Sequence, residues 1–158
     1  MGGALDVAGN VGGASERAEW NIYAAPAAAH DVLRSGVPLL LVALDATSDV
    51  PITRGLVDRL RARPKTAASV YVGDLLAHQD DFIRSGQYFF WDPFAAATAI
   101  DHSLAGFVER GLDVDLRPGG PNGSLLAVDG APRVSLAVSA NANAFEQSLL
   151  DTLSPQST

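Results

Sequence analysis

The chain has 158 residues, with 18 acidic against 11 basic side chains and a formal net charge of −7. That length allows one domain with a substantial core and argues against two full domains. The acidic balance disfavours nucleic acid and anionic membrane as partners, and zero cysteines exclude disulfides, thiolate metal sites and a cysteine nucleophile.

Residues 1–19 read as loop: five of the first thirteen are glycine, including the stretch Gly9-Asn10-Val11-Gly12-Gly13. A flexible N-terminal tail is the plain reading of such a segment. It begins Met1-Gly2-Gly3-Ala4-Leu5-Asp6, with neither the basic nor the apolar region of a secretory signal. Cytoplasmic residence is the expectation. The opening also reads as the loop that follows a strand, with the strand missing.

Pro26 to Ser35 reads as a short helix, with proline at its first position, an alanine run behind it and Gly36 as its stop. Val37 to Leu44 is the most apolar run, far below the roughly 20 residues that span a bilayer. Its shortness fits a strand buried on both faces, as in a parallel sheet. Asp45-Ala46-Thr47 then falls at the strand's carboxyl end, where open α/β sheets hold ligands.

Thr53 to Arg63 predicts an amphipathic helix ended by Pro64, with Leu56, Val57 and Leu60 on one stripe. Ala67 to Ser85 reads as one longer helix stopped by Gly86. Pro93 to Ile100 predicts another, with Asp92 where an N-cap belongs. Leu112-Asp113-Val114-Asp115-Leu116 alternates strictly, as a half-buried strand does. Pro118 to Gly123 is a turn cluster. Ser124–Val128 and Val134–Val138 are two further strands, and Asn141 caps a final helix to about Leu153, followed by a frayed tail from Ser154. The class is α/β: an open mixed sheet with flanking helices and a small antiparallel C-terminal meander. One central-type strand cannot make a sheet, so the parallel part needs a neighbour from elsewhere.

Two constellations could carry chemistry. Asn10, Glu19 and Asn21 together suit a polyol, because carboxylate and carboxamides match sugar hydroxyls; Glu19 and Asn21 share a side if extended. The plain alternative is two turn residues and a solvated charge. The second is Tyr88-Phe89-Phe90-Trp91-Asp92-Pro93: aromatics that could wall a planar base, and a carboxylate that either caps a helix or binds a hard cation. His30, His78 and His102 lie far apart and read as solvated or structural, and Arg54, Arg59, Arg61 and Arg63 as a surface stripe.

In order, Gly2-Gly3-Ala4, Gly9-Asn10, Ala18-Glu19-Trp20-Asn21-Ile22-Tyr23, Pro26-Ala27-Ala28-Ala29, Val37-Pro38-Leu39 running to Leu44-Asp45-Ala46-Thr47, and Trp91-Asp92-Pro93-Phe94-Ala95 resemble the inosine–uridine-preferring nucleoside hydrolases. The resemblance covers essentially the whole chain and looks like the C-terminal half of such an enzyme. It implies calcium-dependent (Ca2+) hydrolysis of the N-glycosidic bond of a ribonucleoside to ribose and base. It matches Asn10, Glu19 and Asn21 to the ribose-binding set, Trp20 to an aromatic lining the pocket, and Asp92 to a calcium ligand. It implies a nucleoside or ribose-like ligand, and either a homo-oligomer or a complementing N-terminal half as partner.

Three departures stand against the family pattern. The aspartate cluster D-x-D-x-x-x-D-D, which supplies the general base and most calcium ligands, has no counterpart. Trp91 holds the position of a histidine acid, and its indole cannot act as one, though it can stack on a base. Ala25 replaces the aspartate before the first helix, a lost cap of about 1 kcal/mol. The expectation is therefore one domain over 1–158, incomplete at its N-terminus, and inactive alone. The alternative is a non-catalytic homologue that binds a ligand or partner.

Overall fold

The structure is a computed structural model, and it describes residues 1–63, 65–118 and 121–155, with the side chain of Ala14 left out. Pro64, the Gly119–Gly120 pair of the turn cluster and the tail beyond Pro155 lie outside the described residues.

The helices flank a four-stranded sheet. In chain order the elements are α1 (Trp20–Ala24), α2 (Pro26–Arg34), β1 (Leu40–Val42), α3 (Leu44–Thr47), α4 (Arg54–Ala62), α5 (Ala67–Ala77), α6 (Asp80–Arg84), α7 (Trp91–Ile100), β2 (Ala105–Val114), β3 (Leu125–Ala127), β4 (Arg133–Ala140) and α8 (Ala142–Leu153). The sheet order is β1-β4-β2-β3. β1 and β4 are parallel, with Leu41 opposite Leu136, and β2 pairs antiparallel with both β4 and β3. The mixed sheet is as expected, but the parallel neighbour of β1 comes from within the chain.

Local chemistry explains most boundaries. Pro26 opens α2, and Gly36 beyond its end holds φ at 75°, which favours glycine. The Thr53 hydroxyl accepts the Leu56 N–H to start α4, and the Asn141 carbonyl accepts the Ala144 N–H to start α8. Val42, Ala46, Leu56, Phe90, Phe94 and Phe145 belong to the larger of two apolar clusters, with Phe145 edge-on to both other rings. Leu33, Leu112, Leu125, Val134 and Leu136 belong to the second cluster.

Four expectations are corrected. β1 is three residues long, and only Val42 of them is buried, because a strand with one partner lacks cover on its other edge. Leu44–Thr47 leaves the strand as α3. The single helix of 67–85 is two, broken at His78 and Gln79. Arg54 and Arg84 both bind Asp80 at the start of α6. Asp92 is not an N-cap: Phe90 holds that position, and Asp92 lies in the first turn of α7.

The first residues are no free tail. Gly2 N donates to Val42 O at 3.1 Å, and Leu44 N donates to Gly3 O at 2.8 Å. Two buried carboxylates complete the attachment. Glu19 accepts from Gly3 N, and Asp45 accepts from Leu5 N and Asp6 N at 2.9 and 2.8 Å.

Candidate functional site

The glycine-rich loop and α1 form one wall of a cavity. Gly9 N donates to Glu16 O at 2.7 Å, and Asn10 N donates to Ala18 O at 3.0 Å. A Cβ on Gly9 would stand 2.1 Å from Ala18 O, so this close approach requires glycine. The Asn10 side chain then reaches α1, where its Oδ1 accepts the Trp20 N–H at 2.8 Å. Its Nδ2 is left as a donor on an exposed residue.

Glu19 caps α1. Its Oε1 accepts from Asn21 N at 3.0 Å, and its Oε2 from Ile22 N at 3.3 Å and Gly3 N at 2.9 Å. The residue is buried, at 2% exposure. Three backbone donors therefore occupy much of its acceptor capacity, and its first duty is to hold the loop against the helix. Asn21 stands beside it, with Nδ2 near Met1 O at 3.4 Å and Met1 Sδ at 3.6 Å. Trp20 is 62% exposed and tilts toward Tyr23, ring centroids 6.5 Å apart.

The opposite wall comes from α7. Trp91 is its first residue and is half-buried, edge-on to Tyr88 at 5.8 Å and tilted against Phe89 at 5.9 Å. Tyr88 in turn stacks on Phe82 at 5.0 Å. Asp92 follows, exposed, in the first helical turn, where the helix dipole favours negative charge.

All six residues singled out in the sequence line one cavity of about 270 Å³: Asn10, Glu19, Trp20, Asn21, Trp91 and Asp92, joined by Met1. Met1 was missed; its only signal was its place ahead of Gly2-Gly3. Asp45 was missed as a structural carboxylate, although it stood at the carboxyl end of the predicted strand. The remaining candidates stay outside. His30 Nδ1 meets Asp113 Oδ1 at 2.5 Å, joining α2 to β2. Burial pushes the Asp113 carboxyl up, but the Val114 N–H, His30 and Arg34 outweigh it, and its pKa is lowered. His78 Nδ1 contacts Asp74 O at 2.7 Å, and the His102 ring lies 5.7 Å from Phe107. Arg54, Arg59 and Arg63 pair with Asp80, Glu146 and Asp151.

Calcium takes roughly six to eight oxygen ligands. The cavity offers one carboxylate with no hydrogen bond from the described residues, Asp92. Among the described residues, no three acidic or histidine side chains gather as a metal site. These residues do not make a calcium cage by themselves.

Fold and cavity define an α/β protein with an open mixed sheet and a cavity lined by carboxamides, carboxylates and indoles. Residues 1–147 match the family described as inosine-uridine preferring nucleoside hydrolase, and the chain belongs to that family. It is 38% identical to nucleoside hydrolase 3 of Arabidopsis thaliana over 89 residues, 52% of this chain and 10% of the relative. It is 31% identical to the pyrimidine-specific ribonucleoside hydrolase RihA of Salmonella arizonae over 120 residues, 73% of this chain and 37% of the relative. It is also similar to the solved inosine-uridine preferring nucleoside hydrolase from Bacillus anthracis, with TM-score 0.83 and 25% identity, covering 98% of this chain and 50% of that one. The purine-preferring ribonucleoside hydrolase from Gardnerella vaginalis gives TM-score 0.80 and 26% identity, covering 97% and 50%. The chain thus spans about half the length of these structures, and less of the curated relatives. No helix among the described residues is long and apolar enough to cross a membrane.

Proposed function

We propose that this chain forms the sugar-binding side of a ribonucleoside N-glycosidic hydrolase site, and that the half of the family's fold outside its match completes that site. One observation carries the reading: six residues from two distant segments, 10–21 and 91–92, line a single cavity. Asn10 Nδ2 and the Asn21 carboxamide bind ribose hydroxyls. Glu19 orients them, because it fixes the first turn of α1. The faces of Trp20 and Trp91 flank the ring system. Asp92 would be the one carboxylate of this chain's cavity free to hold Ca2+, which would need its other ligands from the other half.

Cleavage of an N-glycosidic bond passes through an oxocarbenium-like state, which needs an activated water and a stabilised leaving base. In this reading the described residues of the cavity supply neither. Trp91 stands where an acid would serve and has no proton of suitable acidity. Its part is binding and exclusion of water, so alone it is inactive. Cytoplasmic residence belongs to the same reading, since a chain without cysteine needs no oxidising compartment to fold.

The test is an assay of inosine and uridine with calcium. The chain alone is expected to give no turnover. Mixing with the half of the Bacillus anthracis enzyme that this chain does not match is expected to give turnover, lost in Asp92→Ala. Turnover by the 158 residues alone, abolished by Asp92→Ala, contradicts the reading.

A further inference from the structure

Asn122 is the asparagine that precedes a glycine; Asn10, Asn21, Asn141 and Asn143 precede Val11, Ile22, Ala142 and Ala144. Glycine bears no Cβ to keep its nitrogen from the side-chain carbonyl of the residue before it. In an open chain Asn122-Gly123 therefore cyclises more readily than the other pairs. The fold constrains it. Ser124 N donates to Pro121 O at 2.9 Å, which closes a turn with Asn122 and Gly123 at its centre and Gly123 at φ 82°. Gly123 N donates to Asp115 O at 2.8 Å, and Asp115 N donates to Ser124 O at 2.9 Å. The glycine nitrogen is thus engaged on a buried residue, with the half-buried Asn122 beside it.

The same turn is pressed against a wall of the cavity. A Cβ on Gly123 would stand 2.8 Å from Tyr23 Cα and 3.3 Å from Tyr23 N, and Ser124 bridges to Ala18. Tyr23 belongs to α1, which carries Trp20 and Asn21 into the cavity. On that side the main chain of 121–124 has no slack.

We propose that Asn122-Gly123 is a deamidation site that the fold keeps shut, and that its isoaspartyl product pushes the turn off α1. When the hairpin opens, Gly123 N gives its proton to water and attacks Asn122 Cγ. The N–Cγ bond forms and the Cγ–Nδ2 bond breaks. Ammonia departs with a proton returned from water, and a succinimide ring remains. Water then opens the ring. Cleavage at Cγ gives aspartate, which adds a charge and keeps the backbone. Cleavage at the main-chain carbonyl carbon gives isoaspartate, which routes the chain through Cβ and Cγ and lengthens it by one atom. A turn closed by Ser124 N and Pro121 O has no room for that atom unless it leaves Asp115 or Tyr23. The effect on α1 is independent of what the cavity binds.

Peptide mapping by mass spectrometry follows Asn122 in the folded chain and in the chain unfolded in urea, at one pH and temperature. Loss of ammonia at Asn122 is expected to run at least about tenfold slower in the folded chain, because it waits for local opening. In the unfolded chain Asn122 is expected to react ahead of Asn10, Asn21, Asn141 and Asn143. The isoaspartyl chain, separated and refolded, is then compared with Asn122→Asp by amide hydrogen exchange at Tyr23, whose N–H donates to Glu19 O at 2.8 Å. Exchange there is expected to quicken at least about tenfold in the isoaspartyl chain and to stay unchanged in Asn122→Asp. Equal rates in the folded and unfolded chains, faster loss at another asparagine, or unchanged Tyr23 exchange in the isoaspartyl chain overturns the proposal. Equal quickening in Asn122→Asp assigns the effect to charge and also overturns it. So does an isoaspartyl chain that fails to refold where Asn122→Asp refolds, since the turn then holds the whole fold and not α1 alone.

Discussion

The Glu19 carboxylate accepts the Gly3 N–H at 2.9 Å across sixteen residues of chain. The same group caps α1 through Asn21 N and Ile22 N. One side chain thus holds the first residues, Asn21 and the entry to α1 in a single arrangement. Glu19→Ala leaves three backbone donors without their acceptor and should cost about 2–4 kcal/mol. Glu19→Gln keeps one carbonyl acceptor and should cost less. Urea unfolding of the three proteins, compared at one pH, checks the order.

Ala25 precedes Pro26 as the N-cap of α2 and makes no side-chain cap bond. Ala25→Asp should supply an acceptor for an orphan N–H of the first turn and stabilise the chain by about 1 kcal/mol. A higher urea midpoint with an unchanged slope is the expected result. A lower midpoint shows that the backbone at position 25, with φ −147° and ψ 62°, does not let the side chain reach.

Asp115 is buried beside the more exposed Arg117. The Arg117 guanidinium hydrogen bond, helped by the Arg117 N–H and opposed by burial, lowers its pKa from 3.8 to about 2. A depressed folded pKa means stability that is present above the unfolded value and lost as pH falls through the folded one. The contribution should therefore be intact at pH 6 and fade between about pH 4 and pH 2. Urea midpoints of the wild type and Asp115→Asn should differ at pH 6 and converge near pH 2. A constant difference across that range argues against the shift.

Trp20 is exposed and packs only loosely on Tyr23. Trp20→Ala should change stability by less than about 0.5 kcal/mol. Loss of an aromatic face should weaken nucleoside binding by about 1 kcal/mol, roughly fivefold. Thermal unfolding and calorimetric titration with inosine separate the two effects.

Where a boundary depends on one residue's own chemistry, the sequence was legible. Pro26 and Gly36 frame α2, Thr53 starts α4, and Asn141 starts α8. Where tertiary contacts decide, it was not. The break between α5 and α6 falls at His78 and Gln79, and at the start of α6 Asp80 bonds Arg54, a residue 26 positions away. β2 carries Gly106 and Gly111 and a register shift at Gly106/Phe107, so its alternation is hidden until Leu112. β1 was overextended because an apolar run does not say where α3 begins. The six cavity residues could be picked from their motifs, but not the Glu19 bonds that orient them. Asp45 looked like a ligand-side carboxylate and is instead bonded to Leu5 N and Asp6 N.

The measurement closest to the central claim is an NMR titration of the chain with inosine, following the side-chain amides of Asn10 and Asn21 and the indole N–H signals of Trp20 and Trp91. The account predicts saturable shifts at all four, reduced in Asn21→Ala, with no conversion of inosine over the titration. Shifts confined to other parts of the chain, or none at the highest soluble concentration, would contradict it.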